Sequence, residues 1–276
     1  MAGLAYDAVS KRFLFGDRQG RKLVVVGEGT ESEAADLVRA DSAGFEDISA
    51  LEIDARRGDL WVASAAENGG GLLHRLQLVS GRPLRTYAVP DALGPATLRD
   101  LAITPRGVLV LDAQGGQILL LKPGAAALER VLLLDVPAPT ALAAGAQDGV
   151  AYVAHRDGIS RVDLGTKKIA NVRAPTGVSL GGFERVRWHG KGVIALGGAH
   201  DGTPRLVQLD LNAGGTTVTR VRMVHSPVPT PAAGQLFAIV SGDELVYVTA
   251  ASGAEDGTAS PADQRTDYVA FRTRLP

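Results

Sequence analysis

One motif returns six times along this chain of 276 residues, and it limits the possible folds more than any other feature. It is a short apolar strand, a polar turn rich in Gly or Asp, and a second strand. The copies read "GLAYDAVSKRFLFGD" from Gly3, "ALEIDARRGDLWVAS" (50–64), "DLAITPRGVLVLDA" (100–113), "ALAAGAQDGVAYVAH" (141–155), "RVRWHGKGVIALGG" (185–198) and "LFAIVSGDELVYVTA" (236–250). Their anchors, Leu4, Leu51, Leu101, Leu142, Val186 and Phe237, stand roughly 40–50 residues apart, the spacing of propeller blades. A third strand follows most copies, as in "RKLVVVG", "LHRLQLV" and "QILLLKP", and a more polar fourth in several, as in "ADLVRAD" and "RTYAVPD". Alternation is clearest in the third strands, where Leu76 and Leu78, then Val207, Leu209 and Leu211, share a side. A helical turn is expected only around Ser32–Leu37. The pattern predicts an all-β fold, a six-bladed β-propeller of four-stranded antiparallel blades. It forms one domain over 1–276, with blades near 3–47, 48–97, 98–139, 140–182, 183–233 and 234–276. A β-sandwich does not repeat one pattern six times, and a β/α barrel needs helices that the short polar connections do not provide.

A closed ring hides its seam, usually by letting both chain ends share one blade. The last blade shows strands at 236–240, 244–250 and 267–275, so it is expected to be incomplete. Its outer strand would come from a missing N-terminal segment preceding Gly3. The net charge of −1 offers no global field for nucleic acid or an anionic membrane, so neither is expected as a partner. The absence of cysteine excludes disulfides, thiolate catalysis and Cys-ligated zinc, and leaves a cytoplasmic or exported location equally open. No apolar run reaches the ~18 residues of a membrane span.

The stretches "GLAYDAVSKRFLFGD", "LRDLAITPRGVLVLD", "GISRVDLGTKK", "GFERVRWHGKGVIAL" and "GDELVYV" resemble the senescence marker protein/gluconolactonase (regucalcin-like) family and the related NHL-type bacterial propellers. The likeness runs nearly end to end. It implies a hydrolase that opens lactones or cleaves related esters or phosphoesters. It also implies one divalent metal (Ca, Zn or Mn) at the top of the central channel, where an open coordination position activates water. The family's metal ligands sit where the chain starts each innermost strand. Those positions fall here on Ala2, on Arg99-Asp100, on Pro139-Thr140-Ala141 and on Glu184. Only Glu184 and, weakly, Thr140 remain as metal ligands, so the expected site is degenerate or rebuilt.

The strand starts form a ring of Ala2, Ser49, Arg99, Thr140, Glu184 and Gln235. The next loops add Asp17, Asn68, Asp112, His155 and His200. Ser49, Arg99, Asp100, Thr140 and Gln235 are therefore candidate ligand-binding residues. Glu184, His155 and His200 are the candidate catalytic set, because "AHRDG", "FERVRW" and "AHDG" place imidazoles and carboxylates in one sector. Arg99 could pair with Glu184 and plug the channel, or clamp an anion such as a carboxylate or phosphate. The alternative to hydrolysis is a non-catalytic propeller that binds a small molecule or protein on its top face. "GVSLG" (177–181) fits the nucleophile-elbow pattern but lacks the strand and helix that the elbow needs. "RRGD" (56–59) is the turn every blade has, Trp61 and Trp188 read as core, and the loop 251–266 reads as a cover over the mouth.

Overall fold

The second strand of a blade serves two blades at once, and its side chains alternate accordingly. The computed structural model describes residues 3–18, 20–29, 32–66, 69–198, 204–224, 237–250 and 268–275. Ala2, Asn68, His200, Gln235 and the loop 251–266 lie outside them.

The first sheet holds β1 (Gly3–Asp7), β2 (Arg12–Asp17), β3 (Lys22–Gly27) and β4 (Ala35–Val38) in that order. The second holds β5 (Asp47–Asp54), β6 (Asp59–Ala65), β7 (Gly71–Gln77) and β8 (Pro83–Ala88). The third holds β9 (Leu98–Thr104), β10 (Gly107–Asp112), β11 (Gln117–Leu121) and β12 (Glu129–Leu133). The fourth holds β13 (Pro139–Ala144), β14 (Val150–His155), β15 (Gly158–Asp163) and β16 (Lys168–Asn171). The fifth holds β17 (Phe183–His189), β18 (Gly192–Gly198), β19 (Pro204–Leu211) and β20 (Val218–Met223). The last holds β21 (Phe237–Ser241), β22 (Glu244–Ala250) and β23 (Tyr268–Arg274), three strands among the described residues. The pairings between these strands are antiparallel, and β1, β5, β9, β13, β17 and β21 adjoin one another in a closed circle around the axis. This is a six-bladed β-propeller.

The core is six clusters, one at each seam between neighbouring blades. β6 shows how one strand serves two of them. Leu60 and Val62 face the first blade with Leu14 and Leu23, while Trp61 and Ala63 face the third with Leu101 and Val110. Both faces are covered, so the second strands read as nearly continuous apolar runs. On the inner strands the division is by size. Leu51, Leu101, Leu142 and Val186 fill the seam behind them, and alanines at 50, 102, 141 and 143 let the next blade come close.

Aspartates close the turns. Asp7 accepts the backbone N–H of Val9 and Ser10, and Asp54 that of Arg57, whose guanidinium also pairs with it at 2.7 Å. The Arg-Gly-Asp tripeptide belongs to this turn. At Gly107 (φ 131°) an added Cβ would run into the Leu121 carbonyl, so the tight start of β10 needs glycine. The helical turn expected around Ser32–Leu37 is not formed. Residues 35–38 are strand β4, held on β3 by Lys22 and Asp36 at 2.8 Å, and the helical turn described lies at Asp91–Leu93, after Pro90.

Leu109 is fully buried at the seam of the third and fourth blades, whereas Val79 is 69% exposed. Leu109→Ala should lower stability by about 2–5 kcal/mol in urea unfolding, and Val79→Ala should stay within about 0.5 kcal/mol.

Candidate functional site

A recurrent irregularity shapes the top of the channel. Near the start of β5, β9, β13 and β17 the ladder to the second strand skips one residue, and the skipped residues are Ser49, Arg99, Thr140 and Glu184. A bulge of this kind re-aims the side chain it carries. In two blades it turns a hydroxyl sideways. Ser49 Oγ lies 2.6 Å from the Leu98 carbonyl oxygen, and Thr140 Oγ1 lies 2.6 Å from that of Phe183. Each thus ties its blade to the next, at the residue just before the neighbour's own bulge. In the other two blades the bulge presents charge to solvent: Arg99 and Glu184 are exposed. Among the described residues no ion pair joins them, so they do not plug the channel together.

The charges that do close the axis sit deeper. One residue after each bulge come Ala50, Asp100, Ala141 and Arg185, and three after it Glu52, Ala102, Ala143 and Arg187. Arg187 reaches across to Asp100 with both terminal nitrogens, at 3.1 and 3.2 Å. Asp100 is 1% exposed and also accepts the backbone N–H of Leu101 (3.0 Å) and of Leu142 (2.9 Å). Its four acceptor positions are therefore filled. Glu52 stands 3.7 Å from Arg187. Burial, with Asp100 nearby, pushes the Glu52 carboxyl up to about 7 although Arg187 opposes the shift. Burial works against the charge of Arg187, but Asp100 and Glu52 outweigh it and raise its pKa. Burial lowers that of Arg185, with help from Arg187 and Arg99, and Asp100 and Glu184 oppose the change. Arg185 remains a cation at neutral pH all the same.

Two spaces flank this plug. Toward the mouth, a recess of about 10 Å³ is lined by Gly3, Ala50, Leu51, Asp100, Arg185 and Arg187, room for no more than a water. Toward the other end, a funnel of about 390 Å³ opens between the finishing halves of the inner strands, with Glu52 and Arg187 in its lining.

His155 takes no part in either space. It is 4% exposed, its Nδ1 accepts the Asp157 backbone N–H, and its Nε2 meets Ser160 Oγ at 3.1 Å, which in turn donates to Asn171. Burial lowers its pKa. The second blade repeats the device, with His74 between Ser64 (2.9 Å) and Thr86 (3.0 Å) and its pKa lowered to about 4 by burial. Asp112 is likewise internal, accepting from Thr97, Gln114, Gly115 and Gln117. His200 and Gln235 fall outside the described residues, so the structure does not show the sector that His155, Glu184 and His200 were expected to form.

The sequence reading passed over Glu52, Arg185 and Arg187. The available signal was two arginines at period two, and one glutamate, on inner strands where other repeats carry alanine. Trp188, read as core, is half-buried. It stacks on Tyr152 at 5.4 Å and lines both the funnel and a second cavity of about 380 Å³ between the fourth and fifth blades.

No protein-family model matches the chain, and no curated protein matches it by sequence. Among solved structures it is similar to a putative oxidoreductase (glucose dehydrogenase) from Thermus thermophilus, with 15% identity, a TM-score of 0.58, and 98% of this chain and 96% of that one covered. It is also similar to a chain of a nidogen/laminin complex, with 11% identity, a TM-score of 0.57, and 80% and 78% covered. The likeness is one of fold.

Of the positions where the resemblance places a divalent metal, Glu184 offers an exposed carboxylate and the other described ones do not suit a cation. Thr140 is turned to a neighbouring carbonyl, Asp100 is saturated, and Arg99 and Arg185 bring positive charge to the same layer. Among the described residues no three His, Asp or Glu side chains gather as ligands.

A carboxyl whose pKa rises on folding stabilises the fold below its unfolded value of 4.5, and that contribution is lost as pH climbs through about 7. Glu52→Gln removes the loss. Relative to the parent, its unfolding free energy should rise by on the order of 2 kcal/mol between pH 4.5 and pH 8, below full conversion because 30% of the side chain stays exposed.

Proposed function

We propose that the channel mouth recognises a small anionic molecule, a carboxylate- or phosphate-bearing lactone or ester, and that the protein hydrolyses it there. The observation that carries this reading is the exposed guanidinium of Arg99. It has no ion-pair partner among the described residues and lies near enough to Arg185 for the two charges to act on each other. Two guanidinium groups at a channel entrance suit a carboxylate or phosphate, which accepts charge-assisted hydrogen bonds from both. Glu184 shares that layer and supplies a carboxyl that can take the proton of an attacking water. Asp100 is held by Arg187 and stays out of the chemistry. The fold likeness to a propeller described as an oxidoreductase supports an enzyme in a general way.

The test is a panel of lactones, carboxylic esters and phosphotriesters, with neutral and acidic members, assayed with and without chelator and with metal content measured. Turnover of an acidic member is expected to persist in chelator. Arg99→Ala should raise its KM about tenfold or more, and Glu184→Gln should lower kcat about a hundredfold. Chelator-sensitive turnover with one bound metal would sink the anion-based site and restore a metal hydrolase built from other residues. Binding of acidic members without turnover would leave recognition alone at the top face.

A further inference from the structure

The funnel at the opposite end of the channel has a floor and walls of different chemistry. Its floor is Glu52 and Arg187, and its walls mix apolar side chains, Ala102, Ile103 and Val240 among them, with polar groups of the inner strands. Trp188 and His189 line it toward the end of β17. Arg187 does not need Glu52 for neutrality, because Asp100 already answers it with two oxygens. Glu52 itself stands 3.7 Å from that guanidinium, beyond hydrogen-bond reach. Among the described residues no hydrogen-bond donor reaches Glu52, so the floor carries a carboxyl with room for a donor in front of it. Its side chain is 30% exposed to the funnel, where an occupant that brings a donor and a positive charge can form a charge-assisted hydrogen bond with it.

We propose that this funnel is a ligand site, separate from the channel mouth, for a small molecule that joins an apolar or aromatic body to a primary or secondary ammonium group. The ammonium donates to Glu52, and the body lies against the aliphatic walls and Trp188. A volume of about 390 Å³ fits a ligand of one ring or a short alkyl chain. The charged groups acting on Glu52 are Arg187 from the fifth blade and Asp100 from the third, and His189 is the other titratable group in the lining.

The probes are benzylamine, benzyl alcohol and phenylacetate, titrated by calorimetry and by tryptophan emission. Benzylamine should bind about tenfold more tightly at pH 8 than at pH 6, as Glu52 ionises around 7. Near neutrality it should displace a fraction of a proton, seen as a heat that varies with the ionisation enthalpy of the buffer. Benzyl alcohol and phenylacetate should bind at least tenfold more weakly. Glu52→Gln should abolish the pH dependence and cost about tenfold in affinity. Ala144→Trp fills the funnel from its wall without touching the floor and should abolish binding, so the site stays testable if Glu52→Gln unfolds. No binding, a flat pH profile, equal affinity for the three probes, or binding that survives Ala144→Trp would each overturn the proposal.

Discussion

The architecture near the axis depends on a charge that cannot be left alone. Arg187 projects from the fifth blade into the channel, where an unpaired guanidinium would cost several kcal/mol. Asp100 from the third blade meets it, and Asp100 is itself fixed by the backbone N–H of Leu142 in the fourth. One buried pair thus pins three inner strands to a common depth. Sliding any of them by one residue would turn the side chains to the opposite face and strand a charge. Buried pairs of this kind add little net stability, and their contribution here is to register.

Around that pin, the ring is built from repetition with local substitutions. The same bulge recurs in four inner strands, yet two copies tie blades together through a hydroxyl and two present opposite charges to solvent. The second and fourth blades each join a buried histidine to a serine across their second and third strands, with the two residues exchanged: His74 on β7 meets Ser64 on β6, and His155 on β14 meets Ser160 on β15. Burial lowers the pKa of both imidazoles, to about 4 at His74. Among the described residues of the channel, Arg99 and Glu184 are the charged groups exposed at its mouth, and Glu52 and Arg187 line the funnel at its other end.

Much of this was legible in the sequence, for a physical reason. A propeller blade is a local unit, so strand, turn and strand leave their periodicity in contiguous residues, and the anchors Leu51, Leu101 and Leu142 announce the ring directly. The site was less legible because it is assembled from residues far apart in the chain. Whether Ser49 or Thr140 faces a ligand or a neighbouring carbonyl depends on a bulge that leaves no mark in composition. His155 looks exposed in "AHRDG" and is buried, since β14 runs to that residue before turning. Glu52, Arg185 and Arg187 were readable as departures from the alanines of sister repeats, but only by comparing the copies at equal depth. Ser32–Leu37 has helix-forming residues, and the waiting edge of β3 claims half of them as strand.

The six seams are not alike. Five join consecutive blades along the chain, while the sixth brings the last blade back to the first. There Leu4 and Phe13 pack on Ile239, Val246 and Val248, and Arg272 lies over Tyr6 while pairing with Glu28 and Glu244. These ionic groups are exposed or partly so, within reach of counterions that leave buried apolar contacts untouched. The molecule is in this sense a bracelet with a clasp. Its circumference is set by hydrocarbon, and the ionic share of its clasp is the share that salt in the surrounding water screens.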